Sequence, residues 1–211
     1  MLRSFSLLRA AAFALSLSLI PMAPAQAAPK EPAGQYVEQL GTQALEVITN
    51  KKLAKEQKQQ RLEKIFAENV DIAWVARFVM GRFWRTATDE QKQRYVKEYQ
   101  KFLLKHYTSR FAEYSGGSFA ITDTRAAENE GEYIVSMQIT GTDPGAQPVM
   151  VDYRVRRDNG SFRIFDVVVE GVSMITTQRS EFASVLNAQG IDALIGKLGN
   201  MSAPDLAPRK G

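Results

Sequence analysis

The chain contains no cysteine and only one histidine, His106, in 211 residues. Without cysteine there is no disulfide scaffold, thiol nucleophile, Cys-ligated zinc or iron–sulfur site, and no cysteine to carry a lipid anchor. A lone histidine excludes a multi-His metal site within one chain and disfavours a Ser-His-Asp triad. Also missing are a G-x-G-x-x-G fingerprint, a P-loop and any internal repeat. Chemistry that needs a nucleophile beside a base loses ground, and binding roles gain it; no cofactor is expected. What is present, 24% charged and 45% hydrophobic residues, is the composition of a folded domain.

The N-terminus reads as an export signal. Arg3 and Arg9 are basic with no acidic residue near them, and Ala10 to Ile20 is a mostly apolar run of 11 residues. That run is too short to span about 30 Å of hydrocarbon. Pro21 ends it, and Ala25-Gln26-Ala27 has the small-x-small form of a cleavage site. Residues 1–27 are therefore expected to be removed and the mature chain to act in a periplasm. Cleavage leaves 25 basic against 23 acidic residues, a net charge of +2. Such a balance gives no footprint for nucleic acid.

Residues 28–34 read as a flexible leader and 35–199 as one domain, with a loose tail over 200–211. Apolar residues recur at helical spacing from Gln35 to Ile48 and from about Lys55 to Asn69. The second helix bears Lys55, Lys58, Arg61 and Lys64, a run that reads first as a solvated face. Asp71 should cap a short helix, Ile72 to Met80, ending at Gly81. Thr88 and Gln91 fit a capping box before a long aromatic helix, about Asp89 to Tyr114. His106 lies on the edge of its stripe, as a structural histidine would.

After Gly117 the period changes to two. Four strands are expected: 118–125, 132–141, 148–157 and 161–169. Asn159-Gly160 marks a two-residue hairpin. That register sets Val155 opposite Ile164, Tyr153 opposite Asp166 and Val151 opposite Val168. A three-residue loop at Asp143-Pro144-Gly145 would set Ile139, Met137 and Val135 opposite Val151, Tyr153 and Val155. A helix from Ile175 to Gln189 should stop at Gly190, and Asp192 should cap a last short one. The fold class is α+β, with helices on one face of a curved four-stranded antiparallel sheet around an apolar cavity.

Asp166 stands on the inferred apolar face. A buried carboxylate has a raised pKa and can act as an acid or base, so an isomerase-like enzyme with a nuclear-transport-factor-2-like fold is one alternative. A structural hydrogen bond is the simpler account. Glu128, Glu130 and Glu132 lack the spacing of a calcium loop and read as a solvated turn.

Two stretches, Ala76-Arg77-Phe78-Val79-Met80-Gly81-Arg82-Phe83-Trp84-Arg85 and Phe165-Asp166-Val167-Val168-Val169-Glu170-Gly171-Val172-Ser173-Met174, carry a resemblance. With Thr88, Glu90 and Gln91 after the first and Arg179 and Phe182 after the second, the chain resembles the MlaC, or toluene-tolerance auxiliary, family of periplasmic phospholipid carriers. Met80, Phe162 and Thr177-Gln178 stand where that family often has other residues. The resemblance implies a soluble shuttle, taken here as a monomer, that holds acyl chains in a deep apolar cavity. It also implies exchange with an inner-membrane ABC transporter carrying an MCE-domain subunit and with an outer-membrane lipoprotein complex. A hopanoid-type carrier of the same family is an alternative. The expected lining is Trp74, Phe78, Val79, Phe83, Tyr107 and Phe111 from helices. From the sheet and the turn after it come Val135, Met137, Ile139, Val151, Tyr153, Val155, Val168, Val172 and Met174. Asp166, Glu170, Ser173 and Arg179 are expected to serve as structural polar groups.

Intact-mass measurement of the exported protein should give a chain that begins at Ala28. A chain that keeps residues 1–27 would show an uncleaved anchor instead.

Overall fold

The computed structural model describes residues 31–108, 117–142, 145 and 147–201. The expected signal, Phe111 and the tail beyond Met201 lie outside these residues.

Helix α1 (Pro32–Thr49) starts inside the expected leader. Pro32 opens it, where a missing N–H costs nothing because the first turn has no acceptor for it. Ala33 and Val37 are buried against the sheet, so these early residues belong to the domain. Helix α2 (Lys55–Asn69) buries Leu62 and leaves Lys55, Arg61 and Lys64 exposed. In α3 (Ile72–Met80) the Asp71 carboxylate accepts from the Trp74 N–H at 3.0 Å, as the cap pattern anticipates. The helix is apolar nearly all round and is accordingly buried, with Val75, Ala76, Val79 and Met80 almost inaccessible. It ends at Gly81 and passes into a 3₁₀ turn, Gly81–Arg85.

Thr88 and Gln91 form the reciprocal capping box of α4 (Asp89–Leu103), both bonds at 3.1 Å. Regular α-helical bonding gives way after Leu103, and the expected end at Tyr114 lies outside the described residues. A π turn, Leu104–Thr108, follows. The wider turn shifts the aromatic stripe around the axis, and the Tyr107 hydroxyl accepts from Gln178 Nε2 at 2.9 Å. Helix α5 (Met174–Lys197) is broken at Gly190, whose φ of 82° no helix accommodates. Asp192 does not cap the second half. Its carboxylate accepts from Gln91 at 2.8 Å and Arg94 at 3.1 Å, which ties the end of α5 to α4.

The sheet has five strands, not four: β1 (Gly117–Ala126), β2 (Glu132–Gly141), β3 (Val149–Asp158), β4 (Ser161–Val169) and β5 (Val172–Ser173), in sequence order and antiparallel. The two-residue β5 escaped notice because it is too short to show a period. Glu170 and Gly171, at φ 48° and 80°, make the tight turn that folds it onto β4.

Two registers differ from expectation. Ile139, Met137 and Val135 pair with Val149, Val151 and Tyr153, a slip of two residues that leaves nine residues rather than eleven between Ile139 and its partner. A slip of two keeps every side chain on its face, so the apolar face survives. The β3–β4 hairpin begins as expected, Asp158 opposite Ser161 and Val155 opposite Ile164. A bulge then inserts Phe165, and Arg154 pairs with Asp166, Tyr153 with Val167 and Val151 with Val169. One extra residue turns the rest of β4 over.

One core lies among α3, α4 and α5, around Tyr95, Tyr99, Phe182 and Leu194. A second lies between α1 and the sheet, around Val37, Val135, Val155 and Ile164. Among the described residues no helix is long and apolar enough to cross a membrane.

At Gly81 φ is 60°, and a Cβ there would come within 3.3 Å of the Arg179 guanidinium. Gly81→Ala should lower stability by about 1–3 kcal/mol in denaturant unfolding, from backbone strain. An unchanged midpoint would show that the turn relaxes freely.

Candidate functional site

Two apolar pockets lie between the helices and the sheet. The first, of about 150 Å³, is walled by α2–α5, the π turn and β4, through Phe66, Val75, Leu103, Tyr107, Phe165, Val167, Met174 and Ile175. The second, of about 130 Å³, lies under α1 and α2, between Val37, Leu40, Ala44, Leu62 and Ile65 and the sheet residue Met137. Phe66, Val70, Tyr153 and Ile164 touch both spaces and form the partition between them.

The polar groups on the first wall are mostly spoken for. Gln178 accepts from the Tyr99 hydroxyl at 2.5 Å and donates to Tyr107. Burial pushes the Tyr99 phenol well above its ordinary pKa, so it stays a neutral donor. Asp166 accepts from the Ser173 hydroxyl at 2.7 Å and from the Ile175 N–H at 3.3 Å, with Arg154 at 3.6 Å. Burial raises its pKa, while these partners oppose the shift. Ser173 also caps α5 by accepting from Thr176 N–H at 3.2 Å. Next to it, the Glu170 carboxylate accepts from Met150 N–H at 2.6 Å, which pins the β4–β5 turn to β3. Arg179 lies over the Phe78 ring at 4.8 Å.

Of the residues expected to line a cavity, Tyr107, Tyr153 and Met174 face the first space and Met137 and Tyr153 the second. The others sit elsewhere. Trp74 stacks on Phe78 at 5.2 Å, under the Arg156 guanidinium. Val79 and Phe83 border a surface groove with Arg82 and Arg179. Val135 and Val155 are filled core, Ile139 packs at its margin, Val151 belongs to a small cluster with Val169 and Met174, and Val168 is buried. Val172 is 53% exposed, because the β5 turn carries it outward. Phe111 lies outside the described residues.

The walls that sequence reasoning missed are Phe66 and Val70 of the α2 end, Tyr99 and Leu103 of α4, and Ile164, Phe165 and Val167 of β4. Tyr99, Leu103 and Tyr107 recur at four-residue steps, a signal that was there to use. On α2 the lysine-rich face masked the apolar edge of Leu62, Ile65 and Phe66.

The arrangement is a sheet-and-helix fold with two largely apolar pockets between the layers. A family model described as MlaC protein matches residues 38–200, and the chain belongs to that family. The intermembrane phospholipid transport system binding protein MlaC of Haemophilus influenzae is 24% identical over 61% of this chain and 61% of its own length. The toluene tolerance protein ttg2D of Pseudomonas putida is 26% identical over 62% of this chain and 60% of its own. The chain thus matches about three fifths of the length of these curated relatives. A phospholipid-binding protein from Ralstonia solanacearum, solved in complex with a phospholipid, shares the fold. It has a TM-score of 0.69 and 23% identity, covering 79% of this chain and 94% of that one.

Asp166→Asn replaces an acceptor of two hydrogen bonds with a group that cannot serve both donors equally. The expected loss is about 1–3 kcal/mol at neutral pH. The raised pKa of Asp166 means the folded protein binds that proton more readily than the unfolded chain, so its contribution to stability grows as pH falls. The gap between wild type and variant should therefore widen through the window just above 3.8, the ordinary value, and stay flat at higher pH. Denaturant titrations over that range check this; a gap that narrows on acidification contradicts it.

Proposed function

We propose that the protein is a carrier that binds phospholipid acyl chains in its apolar interior and moves lipid through the periplasm without chemical turnover. The two apolar spaces on either side of the Phe66–Val70–Tyr153–Ile164 partition are the observation that carries this reading. Each buried methylene contributes about 0.8 kcal/mol, so affinity comes from the chains and headgroup selectivity is low. A cavity of about 150 Å³ lined by apolar side chains accepts a benzene-sized guest. A long acyl chain is larger, so each space widens at its outer walls to admit one. Methionines such as Met137 and Met174 help the wall adapt. The printed descriptions of the relatives and the family support the same assignment, as does the export signal read from the sequence.

The partners in this reading are an inner-membrane ABC transporter with an MCE-domain subunit and an outer-membrane lipoprotein complex. The protein works as a monomer. Asp166, the carboxylate on the first wall, is engaged by Ser173, Ile175 and Arg154, which supports a structural role rather than acid–base work. One observation favours a second reading. Both spaces are smaller than a lipid chain, as they would be in an adaptor that docks transporter components and binds no lipid.

Native mass spectrometry of protein taken from the periplasm separates these readings. The carrier should emerge with phospholipid bound and should reload from vesicles after delipidation. A protein that is empty and takes up no phospholipid is the adaptor. A bound triterpenoid overturns the phospholipid assignment in favour of a hopanoid-type carrier.

A further inference from the structure

Tyr153 differs from the other polar residues around the interior. Its ring stands on the partition and touches both spaces. Burial pushes its phenol pKa up to about 12, so the hydroxyl is a neutral donor at any physiological pH. Tyr99, Tyr107 and Gln178 bond one another, and Asp166 is held by its own donors. Tyr95 donates to the Ala76 carbonyl at 3.2 Å and Tyr36 to Asn69 at 3.0 Å. Among the described residues no hydrogen-bond partner is found for the Tyr153 hydroxyl. Yet the Tyr153 hydroxyl is not fully enclosed among wall atoms. Tyr153 is half-buried and lines both spaces.

A donor held at an apolar wall with no protein acceptor gains a hydrogen bond when a ligand brings the acceptor. The location says which acceptor fits. Two apolar spaces diverge from Tyr153, so a ligand with two hydrocarbon chains, one in each space, branches at the partition. In a diacyl lipid that branch carries the ester carbonyls. In a dialkyl ether lipid it carries ether oxygens, which are poorer acceptors.

We propose that the Tyr153 hydroxyl is a specificity-determining group that donates a hydrogen bond to an ester carbonyl where the two chains of a bound diacyl lipid diverge. The inference rests on the carrier reading above and deepens it: chain burial supplies affinity, and Tyr153 selects the ester linkage. A site built around a hydrogen-bond donor discriminates against an analogue that lacks the acceptor, because the donor is then left unpaired.

The test offers delipidated full-length mature protein an equimolar mixture of dipalmitoyl phosphatidylglycerol and its di-O-hexadecyl ether analogue, with bound species counted by native mass spectrometry. Wild type should prefer the ester lipid about fivefold, the worth of one net hydrogen bond. Tyr153→Phe removes only the hydroxyl and should bring the ratio to about one. The lipid-free variant should keep the wild-type thermal midpoint, since no protein partner is lost. Equal binding of the two lipids by wild type, or a preference that persists in Tyr153→Phe, overturns the assignment while leaving the carrier reading standing. A lowered midpoint in the lipid-free variant overturns it too, because the hydroxyl would then be structural. If wild type takes up neither lipid, the carrier reading itself fails and this inference goes with it.

Discussion

The Asp166 carboxylate holds three pieces of backbone at once, and the interior depends on where they sit. It receives Ser173 from β5 and the first-turn N–H of Ile175 from α5, while standing on β4 one residue past the bulge. Ser173 in turn caps α5, and the positive-φ pair Glu170-Gly171 delivers β5 to its place. Through this junction α5 leaves the sheet at a set point and lays Ile175 and Gln178 beside the first space. A charge is tolerated there because donors on the carboxylate offset much of the cost of burying it.

The second constraint is the conflict between close packing and an empty interior. Interiors pack to crystal density, and unfilled volume lowers stability. Here the helical core among α3, α4 and α5 borders the first space through Tyr99 and Leu103, and the core between α1 and the sheet borders the second through Val37 and Met137. The partition of Phe66, Val70, Tyr153 and Ile164 occupies the ground between them. With no disulfide available, packing alone must hold the frame around that softer centre. The aromatic stacks at the periphery, such as Trp74 on Phe78 beneath Arg156, add rigidity away from the cavities.

Much of this was legible in the chain. The Asp71 cap, the Thr88–Gln91 box, the breaks at Gly81 and Gly190 and the four long strands all rest on local chemistry. Register was less legible. The β2–β3 register sits two residues from expectation, and the β3–β4 bulge inserts Phe165, whose ring meets Trp74 at 5.3 Å, a contact between residues far apart in sequence. The site was least legible. Periodicity tells which face of an element is apolar, but not whether that face meets filled core or open space. Val135, Val151 and Val155 satisfy the same pattern as Met137 and Tyr153, yet only the latter pair touch the cavities.

By itself, then, the sequence determined the order and kind of the elements, the apolar faces, the family and the absence of thiol and multi-histidine chemistry. These follow from local backbone preference and side-chain type. Tertiary structure decided that Asp166 pairs with Arg154 and not with Tyr153, that Pro32–Gly34 are helix and that the interior is two spaces divided at Tyr153. The reason is that a bulge, a junction or a void depends on several elements fitting together, and no window of one strand or helix contains that information.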